Sequence, residues 1–350
     1  MNTYQQDLKE YITHNLPWDK LFGKTILISG ATGMLGKCII DLIMEYNHTQ
    51  NNSDTRVTIH ALSRNPETAS KRLEQHWNDE NFFYTSCDVN TDIPIDVSAD
   101  YIIHAASNTH PLQYSNDPIG TITSNVIGTK NLLDYAVSHN TERFCFLSSV
   151  EIYGENRGDT DKFDETYLGY IDCNTLRAGY PESKRLGEAL CNAYYQTNKL
   201  DFVIPRLSRI YGPTMLPTDS KAIAQFIKKA AAGEDIILKS AGNQLYSYTY
   251  VLDAAMAVLI TLLKGNCTEA YNISDTDSEV TLRQITEWLA EDNNVKVTFE
   301  IPDSIEQAGY STATKALLDT AKISALGWLS QIHMREGLKK TVQSLKSETE

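Results

Sequence analysis

Tyr180 and Lys184 stand four residues apart in a segment that reads as a helix. On a helix that spacing places both side chains on one face. A phenol with a pKa of about 10 is a poor base at neutral pH. A neighbouring ammonium favours the phenolate, so the pair suits removal of a proton from a hydroxyl. The same lysine can hold a ribose hydroxyl. Ser149 ends an apolar run, where its hydroxyl can hydrogen-bond a reacting alcohol or carbonyl oxygen beside the tyrosine. Tyr-x-x-x-Lys is common by chance, so its weight depends on what surrounds it.

What surrounds it is a glycine loop about 150 residues upstream. Thr25-Ile26-Leu27-Ile28-Ser29 is an apolar strand that runs into Gly30, Gly33 and Gly36, and a helical segment follows from Lys37. The first glycine allows a tight turn. The second lets backbone approach a pyrophosphate. The third lets the helix pack close, with its first N–H groups aimed at the anion. A dinucleotide site together with a Tyr/Lys/Ser set points to hydride chemistry.

The elements that must position these residues alternate. Strands are expected at 25–29, 57–62, 82–86, 101–104, 143–148 and 202–205. Helices are expected from the glycine loop to about 46, at 119–138 and at 180–198. This order predicts an α/β fold with a doubly wound parallel sheet. After Gly212-Pro213 the texture changes to helices at 222–232, 254–263 and 282–293 and short strands at 236–238, 271–273 and 295–299. These form a smaller mixed lobe over the sheet's carboxyl edge. The expected organisation is an N-terminal helical extension over 1–23, with a polar helix at 5–14, a dinucleotide domain over 24–212, a substrate lobe over 213–343 with chain exchange back to the sheet, and a frayed polar tail over 344–350.

Composition narrows the partners. A formal net charge of −14 argues against nucleic acid and anionic membranes. No apolar run approaches the roughly 18 residues of a membrane span. The six cysteines form no C-x-x-C pair and mostly sit in apolar runs, so they read as reduced buried thiols, with no metal site, in a cytoplasmic protein.

The chain resembles the extended short-chain dehydrogenase/reductases that act on nucleoside-diphosphate sugars. The resemblance rests on Gly30-Ala31-Thr32-Gly33-Met34-Leu35-Gly36, His104-Ala105-Ala106-Ser107, Asn125-Val126-Ile127-Gly128-Thr129, Leu147-Ser148-Ser149-Val150-Glu151-Ile152-Tyr153-Gly154, Tyr180-x-x-x-Lys184 and Arg206-x-x-x-x-Tyr211-Gly212-Pro213. It is closest to UDP-glucuronate decarboxylases, through Tyr114 with Asp117-Pro118-Ile119 and through Arg177-Ala178-Gly179-Tyr180. It implies a Rossmann-type sheet and a nicotinamide dinucleotide held by Gly30, Thr32, Gly33, Met34, Leu35, Gly36, Arg64, Asp88, Val89, Ala105, Ala106, Ser107, Asn125, Tyr180 and Lys184. It also implies a UDP-, dTDP- or CDP-sugar against Thr109, Tyr114, Arg177, Arg209 and Tyr246, catalysis by Tyr180, Lys184, Ser149 and an acid/base Glu151, and a homodimer through a four-helix bundle. The reaction so implied oxidises sugar carbon 4, after which the ketone permits decarboxylation, epimerisation or elimination.

Four departures qualify the likeness. Val150 stands where 4,6-dehydratases carry an aspartate, which weighs against loss of water. Arg209 stands where the family has an asparagine, and Tyr246 where it has an arginine that grips the diphosphate, so a swap is expected in which Arg209 supplies that charge. Strand two ends in Leu62-Ser63-Arg64, with no acid near Ser63 for the ribose hydroxyls. NAD is expected by resemblance, and Arg64 leaves NADP open. Two other readings remain at this stage: an NADPH-dependent reductase of a nucleotide-linked keto-sugar or ketose, and a non-catalytic dinucleotide sensor.

Overall fold

The computed structural model describes residues 2–109, 116–300 and 314–347. The chain opens with α1 (Thr3–Tyr11), capped reciprocally by Asn2 and Gln5. It continues through β1 (Thr25–Ser29), α2 (Met34–Thr49), β2 (Thr58–Ser63), α3 (Pro66–Arg72), β3 (Phe82–Ser86), β4 (Tyr101–His104), α4 (Pro118–Ser138), β5 (Arg143–Phe146), β6 (Ser148–Ser149), α5 (Gly179–Asn198), β7 (Phe202–Leu207) and β8 (Arg209–Tyr211). Then come α6 (Ala222–Ala232), β9 (Ile236–Leu238), β10 (Leu245–Tyr250), α7 (Val251–Lys264), β11 (Glu269–Ile273), β12 (Asp275–Thr281), α8 (Leu282–Asn293), β13 (Val297–Phe299), β14 (Lys315–Ala316), α9 (Ala321–Ala325) and α10 (Met334–Ser347).

The large sheet runs β11-β7-β5-β4-β1-β2-β3, with β6 also on β7. Its pairings are parallel. Helices cover both faces. Leu132 and Leu133 of α4 and Cys191 of α5 join Leu27, Phe144 and Phe146 in one apolar layer. On the other face α2 and α7 bury Ile39, Ile43, Val258 and Leu262 with Ile26 and Ile28. A sheet covered on both faces explains why its strands read as apolar runs and not as alternation. The chain reverses strand order between β1's neighbours β2 and β4, which opens a crevice at the carboxyl edge above β1.

The smaller sheet pairs β10 with β12, β14 and β8. The pairings cross the boundary drawn at residue 212 in both directions. Arg209–Tyr211 already belong to the small sheet, while β11 leaves the lobe and pairs with β7 at the edge of the large one. The reason is burial: α7 is apolar nearly all round and must be enclosed, so it packs on the large sheet and carries β11 with it. The tail is also corrected. Residues 344–347 form the last turn of α10, because Leu338, Thr341, Val342 and Ser344 are buried on one stripe. Two thiols depart from expectation too: Cys173 is exposed and Cys267 half-buried, both lying in connecting segments.

The two ends of the chain meet. Asp7 of α1, buried, takes Lys340 of α10 at 2.7 Å and the Tyr250 hydroxyl at 3.2 Å. Tyr11 reaches Asp253 at 3.1 Å, and Trp18 stacks on Tyr46 of α2 at 3.9 Å.

Candidate active site

The glycine loop has the geometry of a close backbone approach. Gly30 has φ +71°, and a Cβ there would lie 2.6 Å from the Ala105 carbonyl. A Cβ on Gly36 would lie 2.3 Å from the Gly30 oxygen, so the start of α2 can press onto the loop only as glycine. The helix opens at Met34 with Gly33 as its N-cap, and no side chain occupies its first N–H groups.

Above the loop lies a cavity of about 910 Å³. Its wall brings together Gly30, Gly33, Met34, Leu35, Gly36, Ala105, Ser107, Thr109, Ser149, Glu151, Arg177, Tyr180, Lys184, Arg209 and Tyr246 from the sequence-predicted set. Thr32, Arg64, Asp88, Val89, Ala106 and Asn125 lie outside that wall. Asp88 caps the backbone N–H of Asn90 at 3.0 Å, and Val89 offers its carbonyl to Asn131 at 2.9 Å. Asn125 is fully buried; its amide donates to Ser183 at 2.9 Å, while its Oδ1 has no partner. Tyr114 lies outside the described residues.

Tyr180 is 7% exposed and hydrogen-bonded to Ser149. Burial holds its phenol well above the usual range; Ser149 and Arg177 pull it down, and Glu151 pushes it up. Lys184 is 3% exposed, and its Nζ donates to the Leu147 carbonyl at 2.8 Å. Burial lowers its pKa from 10.5 to about 8. The expected tuning of Tyr180 by Lys184 is therefore not the main electrostatic feature here. Desolvation dominates both groups, and the lysine is anchored to backbone first.

Beside them sits a charged set that spacing did not reveal. Glu151 meets Arg177 at 3.0 Å through one oxygen and Arg209 at 3.8 Å through the other. The Arg209 guanidinium carbon lies over the Tyr246 ring, 3.5 Å from its centre. The Nη1 of Arg209 is buried and has no hydrogen-bond partner among the described residues. Sheet register explains the meeting. β6 and β7 pair Ser149 with Leu207, so Glu151 and Arg209, each two residues further on, leave the sheet side by side. In the arrangement seen, Arg209 lies on the cavity wall beside Glu151. The far end of the cavity is walled by Leu216, Phe226, Ile237, Leu238, Lys239 and Gln244, from α6, β9 and their flanking loops, which no motif had marked.

The residues present fit a dinucleotide: the cradle that a Cβ would fill, and the open helix terminus behind it. The sequence model of the NAD dependent epimerase/dehydratase family matches residues 26–274. The chain belongs to that family. UDP-glucuronic acid decarboxylase 3 of Arabidopsis thaliana is 31% identical over 318 residues, covering 89% of this chain and 86% of its own. UDP-glucuronic acid decarboxylase 1 of Xenopus tropicalis is 28% identical over 353 residues, covering 99% and 78%. Among solved structures, UDP-glucose 4-epimerase of Thermotoga maritima superposes with a TM-score of 0.78 at 20% identity, over 93% of this chain and all of that one. UDP-glucuronic acid 4-epimerase of Bacillus cereus, solved with UDP-glucuronic acid and NAD, gives 0.78 at 18%, over 93% and 99%. These likenesses establish the Rossmann-type fold, and the family is NAD-dependent. No helix among the described residues is long and apolar enough to cross a membrane.

Proposed function

We propose that this enzyme decarboxylates a nucleoside-diphosphate hexuronate by way of a 4-keto intermediate. The observation that carries the reading is the Arg177–Glu151–Arg209 set beside Ser149 and Tyr180. Two guanidiniums face one carboxylate, and Arg209 keeps a buried N–H group without an acceptor among the described residues. A hydroxyl of a neutral hexose can accept from that group, but a sugar carboxylate pairs with it in a stronger, charge-assisted hydrogen bond. The curated decarboxylase relatives support the same substrate class.

The chain's own groups then divide the work. The dinucleotide, when bound, supplies reversible hydride transfer. Tyr180 takes the proton of the C4 hydroxyl, and Ser149 hydrogen-bonds that oxygen. A ketone at C4 makes the C6 carboxylate a β-keto acid. Its C5–C6 bond breaks, CO2 leaves, and the electron pair settles on the C4 oxygen between Tyr180 and Ser149. Glu151, held by the two arginines, manages the proton delivered to C5. Val150 supplies no acid for expulsion of a C6 hydroxyl.

Incubation with UDP-, dTDP- and CDP-glucuronate, with released CO2 and the product followed by mass spectrometry, tests the reading. Loss of 44 mass units with a nucleotide pentose as product is expected on one of the three. A product of unchanged mass, the C4 epimer, would overturn it. A second reading, net reduction of a nucleotide-linked keto-sugar, is favoured by Arg64 and predicts one NADPH consumed per turnover. We further propose a cytoplasmic homodimer paired through α4 and α5, where Ile119, Ile122, Ile127 and Leu186 are exposed.

A further inference from the structure

Given a nucleoside-diphosphate sugar as substrate, the reading proposed above, we infer that the loop of residues 212–221 registers that substrate against the dinucleotide. The Ser220 hydroxyl is its contact to the diphosphate, and Thr214 and Arg72 are positioning residues. The loop leaves the small sheet after β8 and ends where α6 begins. On its way it crosses the start of α2. The Thr214 hydroxyl donates to the carbonyl of Met34, the first residue of α2, at 2.8 Å. Arg72, at the end of α3, donates from Nη2 to the Thr214 carbonyl at 2.6 Å. Thr214 is buried, so little water competes for these bonds. Its side chain and its backbone thus each hold a different helix of the dinucleotide domain.

The loop's other end is tied to the small lobe. Lys228 of α6 donates to the carbonyls of Pro217 and Asp219 at 2.9 and 2.7 Å, and the Asp219 carboxylate takes the Lys221 N–H at 2.9 Å. With its carbonyls tied at both ends, the irregular segment has few ways to shift. Between the anchors Leu216, Asp219, Ser220 and Lys221 form part of the cavity wall, which Met34 and the glycines also line. Ser220 is the informative member. Its hydroxyl oxygen is buried and has no hydrogen-bond partner among the described residues. Native chains leave few such groups unpaired, and one in a cavity wall is accounted for by a ligand acceptor. At this end of the cavity Lys221, Lys229 and Lys239 outnumber Asp219, so the acceptor that fits is anionic. In a nucleotide sugar that anion is the diphosphate. Covalent bonds tie it to the sugar, so where this loop sits sets how C4 meets the dinucleotide.

Calorimetry on the full-length protein tests the assignment, with UDP, dTDP and CDP as probes and NAD+ as the control ligand. Where NAD stays bound through purification, its content per chain replaces the control titration. We expect at least one diphosphate to bind. Ser220→Ala should weaken it about tenfold. Thr214→Val keeps the shape and removes the donor. It should weaken the same diphosphate about fivefold and leave NAD+ within a factor of about two, and Thr214→Ser should restore wild-type affinity. Arg72→Met should follow Thr214→Val. Wild-type protein that binds none of the three diphosphates overturns the proposal. So does a Ser220→Ala or Thr214→Val variant that keeps wild-type affinity for the diphosphate, a Thr214→Val variant that loses NAD+ and diphosphate alike, or a Thr214→Ser variant no better than valine. Every arm reads binding, so a protein that passes them yet releases no CO2 refutes decarboxylation and leaves the loop's role standing.

Discussion

Replacing Lys184 by methionine should destroy activity and raise stability, and the gain should depend on pH. Lys184 is 3% exposed, and burial brings its pKa from 10.5 to about 8. That gap of 2.5 is worth about 3.4 kcal/mol at about 1.36 kcal/mol per unit. The folded-state value lies below the unfolded one, so the charged lysine costs stability. Below pH 8 both states hold the proton and the full cost is present. Between pH 8 and 10.5 the unfolded chain binds more protons, so stability rises with pH; above 10.5 the cost is gone. Methionine keeps most of the volume over Phe146 but abandons the 2.8 Å bond to the Leu147 carbonyl, a loss of about 1–2 kcal/mol. The net is a gain of about 1–2 kcal/mol at pH 7 that falls to zero or reverses by pH 10. Urea titrations of both proteins at pH 7 and pH 9.5, read by circular dichroism, measure it, since other titrating groups cancel in the difference. A variant less stable at pH 7, or one whose offset ignores pH, would refute the desolvation argument. Turnover with any accepted substrate should fall at least about 100-fold.

Other perturbations probe other parts of the structure. Glu151→Gln should cut product formation about 100-fold or more while dinucleotide affinity stays within a factor of two, measured by calorimetry beside a turnover assay. Asp253→Ala should lose on the order of 3 kcal/mol, because the Tyr11 hydroxyl and the Gln331 and Ile332 N–H groups would be left without their acceptor. Hydrogen exchange should then show α1 losing protection ahead of the large sheet. The Ile122→Glu, Leu186→Glu double variant should run as a monomer in light scattering with an unchanged far-ultraviolet circular dichroism spectrum, since both side chains are exposed in the single chain.

Much of the large sheet was legible because its signals are local. β1, β3 and β4 are apolar runs with the boundaries expected, and α4 and α5 differ from expectation by one residue at their starts. The Gly30–Gly36 loop is readable for the same reason, since each glycine answers a contact within its own turn or with the adjacent Ala105. What was missed is set by distant pairing. Leu245–Tyr250 is rich in tyrosine and threonine and so suited to a strand, but it was read only as a ligand-gripping segment, and its partners β8, β12 and β14 come from three separate stretches. α10 was readable in principle from Leu338, Val342 and Leu345, whose spacing marks a stripe, yet the polar residues between them masked it. The contact between Glu151 and Arg209 was beyond reach. It follows from which strand lies beside β6, and residues 58 apart in the chain carry no spacing that says so.

The clasp between Asp7 and Lys340 joins residues 333 apart. During synthesis at roughly 5–20 residues per second, α1 leaves the ribosome roughly 20 seconds to a minute before α10 exists. Throughout that interval Leu8 and Tyr11, both buried in the finished molecule, lack part of their cover. The nascent chain therefore displays the short apolar stripe of α1 while the glycine loop and its strands are already assembling behind it. α10, which carries Lys340, is the helix that retires that stripe.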